Sequence, residues 1–178
     1  VGWNDRAKYI IMELDNYVPQ GSVVRVVSKF EKEGKIVELL NKRVKNISLE
    51  FEVKDTTGRE TLKSMKLEQY NFIILLCYQR NFPIQEADAQ TLITLLHLRN
   101  FTELHGYTYK IVSEMLDIRN RQLADITSAD DFIVSDKLVS LLMSQVSENK
   151  YLMRVFEDLF DADGSEIYIK PAREYVQV

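Results

Sequence analysis

Asn71-Phe72-Ile73-Ile74-Leu75-Leu76-Cys77-Tyr78 is the most hydrophobic stretch of the 178-residue chain, and its reading decides the fold. A short continuous apolar run of this kind is a strand covered on both faces, the situation of a central strand in a parallel sheet. A long helical pattern follows it from about Ile84 to Phe101, with Ala87, Thr91, Leu95 and Leu98 on one stripe and Gly106 ending the region. Tyr107 to Glu114 then reads as another strand. Strand, long helix and strand make one βαβ unit.

The same switch of period recurs on either side. Toward the N-terminus, Ala7, Ile10, Ile11, Leu14 and Tyr17 lie on one helical face, which Asn4 or Asp5 would cap. Pro19-Gln20-Gly21 breaks that pattern, and Ser22 to Val27 is a β-branched strand. A short helix around Ile36 to Leu40 leads to Ile47–Val53, where Leu49, Phe51 and Val53 alternate with polar residues as in a half-buried strand. A loop at Asp55–Gly58 and a brief helix around Leu62 and Met65 complete this half. Toward the C-terminus come a short helix near Asp117 to Ala124, a strand at Asp131–Val134, and two helical patterns between Ser135 and Phe160 separated by Ser147-Glu148-Asn149. Ile167-Tyr168-Ile169 closes as a strand. The fold class is therefore α/β: a Rossmann-like, doubly wound, mainly parallel sheet with two consecutive C-terminal helices and a final strand. No internal repeat or low-complexity linker divides the chain, so residues 1–178 read as a single domain. The turn Gly2-Trp3-Asn4 follows one residue only, where such a fold begins with a strand. The expectation is a lobe of a longer protein with its first strand truncated.

Composition narrows the function. The chain is 46% hydrophobic and 28% charged, enough for a packed interior and far from a disordered composition. Its net charge of −4 and pI near 5.3 offer nucleic acid no positive field. A single cysteine, Cys77, excludes an internal disulfide and a multi-thiolate metal site. No apolar run approaches the ~20 residues of a membrane-spanning helix.

Catalytic motifs are absent: neither G-x-x-x-x-G-K-[ST] nor G-x-S-x-G occurs. His97 and His105 read as packed or solvated, and Cys77 as a buried, inert thiol. The first turn, Gly2-Trp3-Asn4-Asp5-Arg6-Ala7, keeps only the first glycine of G-x-G-x-x-G; Asn4 replaces the second and Ala7 the third. A side chain at the second position takes space that a pyrophosphate needs, and Ser28 and Lys29 stand where strand two would supply an acidic residue for a ribose. Ordinary NAD binding is disfavoured. Asp161-Ala-Asp163-Gly164-Ser165-Glu166 places oxygen ligands around a glycine as a short calcium loop does, but it lacks the distant bidentate glutamate, so a helix end with Gly164 as its stop is the simpler reading. Glu86 and Asp88 read as partners of the long helix's macrodipole.

Three stretches resemble the regulator-of-potassium-conductance (RCK) type of domain in the CASTOR and POLLUX ion channels and their prokaryotic relatives. They are Gly2-Trp3 with the following helix through Leu14-Asp15; Ala87-Asp88-Ala-Gln-Thr-Leu92 through Leu95-Leu96-His-Leu98-Arg99; and Ser113-Glu114-Met-Leu116-Asp117 with Asp131–Val134, Ser135, Leu138-Val139-Ser140 and Phe156-Glu157-Asp158-Leu159-Phe160. The similarity runs essentially from end to end, departing in the short connection from Cys77 to Glu86.

The resemblance implies a non-catalytic, ligand-sensing regulatory domain of a cation channel, for potassium or a related ion. It would be the cytoplasmic part of an integral membrane protein, itself not inserted in the membrane. Its partners would be its own pore domain and neighbouring RCK-type domains in a homo-oligomeric ring whose shape responds to a small ligand or cation. Leu138, Val139, Leu141 and Leu142 would contribute to the contact, since they are more apolar than one core stripe requires. Glu148, Asp163 and Glu166 would be the calcium ligands. Gly2, Asn4, Ser28, Lys29 and Gln79 would line a crevice for NAD or another nucleotide, a reading that the missing second glycine weakens. Two alternatives stay open: a fragment of an NAD-dependent oxidoreductase, and a ligand-free structural assembly module.

Overall fold

A computed structural model describes residues 1–120 and 131–161, giving the backbone alone for 131–136. The chain divides into two compact units, Val1–Leu138 and a second that begins at Val139. The first unit carries α1 (Ala7–Tyr17), β1 (Ser22–Ser28), α2 (Lys32–Asn41), β2 (Ile47–Val53), α3 (Arg59–Ser64), β3 (Phe72–Leu75), α4 (Ile84–His105), β4 (Lys110–Met115) and β5 (Asp131–Val134). It also holds two short 3-10 turns, Leu67–Gln69 and Ile118–Asn120. The helices α5 (Ser135–Glu148) and α6 (Leu152–Phe160) follow, α5 having its first turn in the first unit.

All described strand pairings are parallel: β1 with β2, β3 with β4, and β4 with β5. The ladders form a pair and a trio, and the first two residues bridge them. The Val1 nitrogen donates to Ile74 O at 2.7 Å, Leu76 N donates to Val1 O at 2.9 Å, and Gly2 N donates to Val27 O at 2.9 Å. The order is thus β2-β1-(Val1-Gly2)-β3-β4-β5, with Val1-Gly2 where a doubly wound sheet of order 3-2-1-4-5-6 has its first strand. Gly2 is required there. Its φ is +82°, and a Cβ would lie 2.0 Å from Leu76 O.

Successive residues of a strand face opposite sides of the sheet, and β1 shows the result. Val27 joins Leu62, Leu75, Leu95, Leu98 and Ile111 under α3 and α4, while Val26 joins Trp3, Ala7, Ile11, Val37 and Leu40 under α1 and α2. Two apolar layers sandwich one sheet, as the Rossmann-like reading requires. The Ala87-Thr91-Leu95-Leu98 stripe is buried throughout, and Gly106 caps α4 with φ +68°.

Several boundaries differ from expectation. The β3 ladder stops at Leu75, and Cys77 and Tyr78 already belong to the next turn, where their carbonyls accept Gln79 N, Asn81 N and Phe82 N. β4 begins at Lys110 and α2 at Lys32. The expected helix from Asp117 is a single 3-10 turn as far as residue 120; its remainder and the strand Ile167–Ile169 lie outside the described residues. No described helix is long and apolar enough to cross a membrane.

Candidate functional site

In an open α/β sheet, ligands bind at the carboxyl ends of the strands beside the first turn. Here that place is filled by the chain itself. Asn4 is buried; its Nδ2 donates to Cys77 O at 3.0 Å and to Glu114 Oε2 at 2.6 Å, while its Oδ1 accepts Arg6 N at 2.9 Å. The last bond closes an Asx turn ahead of α1; the residue at the cap position is Arg6, which makes no side-chain cap bond, so the cap expected from Asn4 or Asp5 is not formed. Arg6 donates from Nε to Glu114 Oε1 at 2.7 Å, and its Nη2 lies 2.6 Å from the same oxygen as an ion pair without hydrogen-bond geometry. Cys77 N donates to Glu114 Oε2 at 3.3 Å. Above this cluster Arg80 pairs with Asp5 at 2.6 Å.

The remaining crevice residues are also engaged. Ser28 is fully buried, accepts Phe30 N at 3.2 Å and lies 3.4 Å from Glu33 Oε2. Burial raises the Glu33 carboxyl above its ordinary range, since its compensating bonds are few. Lys29 Nζ reaches Gln90 Oε1 at 2.8 Å and Asp55 Oδ1 at 3.0 Å, and its backbone N–H donates to the Tyr78 hydroxyl at 2.9 Å. Gln79 stands exposed. The structure therefore brings Asn4 together with Cys77 and Glu114, Gly2 against Val27 and Leu76, and Ser28 and Lys29 together with Tyr78. The space between Gly2, Leu76, Tyr78, Thr56, Gln90 and Thr91 measures about 10 Å³, room for one water. A dinucleotide does not fit these residues as they are arranged.

Two acidic residues central to the site were invisible to motif reading. Glu114 is one. The other is Asp88, which is fully buried rather than serving the α4 macrodipole from the surface. Its carboxylate accepts Leu116 N at 2.9 Å, Asp117 N at 3.0 Å and Asn120 Nδ2 at 2.7 Å, tying α4 to the chain leaving β4. A signal existed for each: Asp88 adjoins Ala87 on the buried stripe, and Glu114 interrupts an apolar strand, where a charge must find partners. Cys77 lies within 3.5 Å of Thr91 Oγ1, Asp88 Oδ1 and the Glu114 carbonyl oxygen, and burial pushes its thiol far up. It is buried, as expected. His105 is exposed and packs against Phe101 and Tyr107, and among the described residues no group of three His, Cys, Asp or Glu side chains forms a metal site.

Of the expected calcium ligands, Glu148 is the exposed last residue of α5; Asp163 and Glu166 lie outside the described residues. On α5, Leu138, Val139 and Leu141 are about half exposed and Leu142 is more covered. On α6, Met153, Val155 and Phe160 are exposed as well.

No protein-family model matches the chain. Three curated relatives do: the ion channel DMI1 of Medicago truncatula, the ion channel POLLUX of Lotus japonicus, and the probable ion channel CASTOR of Oryza sativa subsp. japonica. Each is 28% identical, over 98%, 98% and 99% of this chain. The chain spans about a quarter of these relatives' length, 24%, 23% and 24%. Among solved structures, the NAD(P)-binding domain of an exopolyphosphatase-related protein from Archaeoglobus fulgidus matches with a TM-score of 0.57 at 16% identity, covering 83% of this chain and 96% of that one. The resemblance to CASTOR and POLLUX ion channels and the Rossmann-like fold both hold.

Proposed function

We propose that this chain is the cytoplasmic, non-catalytic regulatory domain of a cation channel. The observation that carries the reading is similarity to named ion channels along essentially the whole chain. The arrangement supports it: the chain's own Asn4, Arg6 and Glu114 side chains fill the first turn, and the Cys77 thiol beside Asp88 is buried with its pKa pushed up. The oxidoreductase alternative therefore lacks a cofactor seat.

In this reading copies of the domain assemble into a ring through the apolar faces of α5, with Leu138, Val139, Leu141 and Leu142 at the contact. A ligand moves the gate only if it prefers one ring conformation. With Asn4 and Arg6 of the first turn engaged by Glu114, the ligand in this reading is a cation, and Glu148, Asp163 and Glu166 are its proposed carboxylates.

The test is single-channel recording of the complete gene product with and without residues 1–178 across a calcium series. Retained conduction with lost calcium dependence, reproduced by Glu148→Gln, supports the reading. Calcium dependence that survives the deletion refutes it. Loss of gating with no calcium response in the intact channel would favour the ligand-free assembly module.

A further inference from the structure

Glu33, in the first turn of α2, is only 2% exposed and forms no ion pair among the described residues. Its side chain meets the fully buried Ser28 hydroxyl at 3.4 Å, a long contact for such a bond. That hydroxyl also accepts Phe30 N at 3.2 Å, and Lys29 N donates to the Tyr78 hydroxyl, itself 3.3 Å from Thr56 Oγ1. The charges nearby are turned to other partners. Lys32 on the same helix lies over the Phe30 ring, and Lys29 Nζ goes to Gln90 and Asp55. On β2, Glu50 and Glu52 pair with Arg25 and Lys54; on α1, Asp15 is held by the backbone of Lys45, Asn46 and Ile47. Tyr78 is the other titratable group on this side, and a charge on Glu33 opposes its ionisation. The start of α2 is packed hard on β2, since a Cβ on Gly34 would lie 2.9 Å from the Phe51 ring.

We propose that Glu33 is a proton-dependent latch: with its proton the side chain pins the start of α2 to the turn Ser28-Lys29-Phe30, and loss of the proton releases that corner of the fold. A neutral carboxylic acid lies against Ser28 and the surrounding apolar groups at little cost, with an O–H able to donate to Ser28 Oγ. A carboxylate in the same place has lost its water without gaining a cation. Burial is the largest influence on this carboxyl and outweighs its own backbone N–H, Lys32 and Ser28, all of which favour the charged form. The charged side chain finds water only by leaving, and the first turn of α2 leaves with it. The corner so released is the one whose Lys29 ties β1 to α4 through Gln90 and to the following loop through Asp55. Deprotonation therefore loosens the strand ends beside the first turn and spares the layer under α4. This inference stands apart from the channel reading and survives its failure.

The experiment is amide hydrogen exchange in the 178-residue chain and in Glu33→Gln, which cannot ionise, over a pH series starting at the ordinary glutamate value of 4.5. An opening that frees one proton becomes about tenfold more populated per pH unit above that value, until the raised, folded value is passed. Taking the ratio of unaltered chain to variant at each pH removes the intrinsic pH dependence of exchange. The ratio should rise at Phe30 and along α2 and stay level in α4. A level ratio at Phe30 and α2 overturns the inference, and so does an equal rise in α4, which would mean opening of the whole domain. Urea midpoints give a second reading. The folded state is penalised only above 4.5 and increasingly as pH climbs, so the gap by which Glu33→Gln exceeds the unaltered chain should widen with pH. A gap that stays constant overturns the inference. Glu33→Met, equally without charge and of similar volume, decides the matter if Glu33→Gln does not fold.

Discussion

Gly2→Ala is the substitution to which the sheet should respond most sharply. The new Cβ would sit 2.0 Å from Leu76 O, 1.4 Å short of an ordinary contact of 3.4 Å. The atom it meets is backbone and cannot swing away. Relief requires Val1-Gly2 to withdraw from the slot between β1 and β3, which breaks the Gly2 N to Val27 O and Leu76 N to Val1 O bonds. Each bond contributes about 1 kcal/mol net, and more where a buried group is left unpaired. An alanine at φ +82° costs a further ~1 kcal/mol. The sum is about 3–5 kcal/mol, a large part of the 5–15 kcal/mol typical of a whole domain. Gly21 is the internal control, since its φ of +89° imposes the same strain while nothing lies within 4 Å of its Cβ position. Gly21→Ala should cost only ~1 kcal/mol. Urea unfolding followed by circular dichroism measures both, and similar midpoints for the two variants would show that Val1-Gly2 does not occupy the sheet.

Further outcomes follow from buried groups. Burial works against ionisation of Asp15, but the backbone N–H groups of Lys45, Asn46 and Ile47 outweigh it and hold the carboxyl below its usual range. Its stabilisation is therefore present above the ordinary carboxylate pKa and lost as pH falls through the lower, folded value. Asp15→Asn should flatten the acid limb of a stability-against-pH curve; an unchanged limb refutes the assignment. Cys77 should resist a thiol reagent at pH 8 until urea unfolds the chain, so labelling and unfolding should share one midpoint. Leu98→Ala, at a fully buried position under α4, should cost 2–5 kcal/mol by the same urea assay. Leu141→Glu, on the exposed face of α5, should leave that midpoint unchanged and shift sedimentation toward monomer; an unaltered sedimentation profile refutes the α5 contact.

What was legible in the sequence was local. The stripe Ala87-Thr91-Leu95-Leu98, the alternation in Ile47–Val53 and the glycine after His105 each announce an element within a few residues, because helix and strand periods are set by neighbours. Asp131–Val134 and the two helices after it were readable for the same reason. The site was not, because its geometry joins distant positions. Asn4 reads as a cap from its neighbours, yet its amide belongs as much to Glu114, 110 residues away. Asp88 looks like a dipole partner until the backbone of Leu116 and Asp117 arrives beside it. Boundaries failed where a turn follows directly on an apolar run, as at Cys77 and Tyr78, whose carbonyls accept Gln79 N, Asn81 N and Phe82 N.

The two-residue bridge also bears on how the chain reaches this state. Val1 meets Ile74 across a separation of 73 residues, and Asn4 meets Glu114 across 110. Both closures carry a loop entropy that must be met before the contacts return anything, and topologies built on such distant pairings fold slowly. β1 with β2, and β3 with β4, can each form first across a shorter connection. The slot between them exists only once both pairs are in place. Docking of Val1-Gly2 is then a late step of folding, one that should govern the refolding rate little and the unfolding rate strongly.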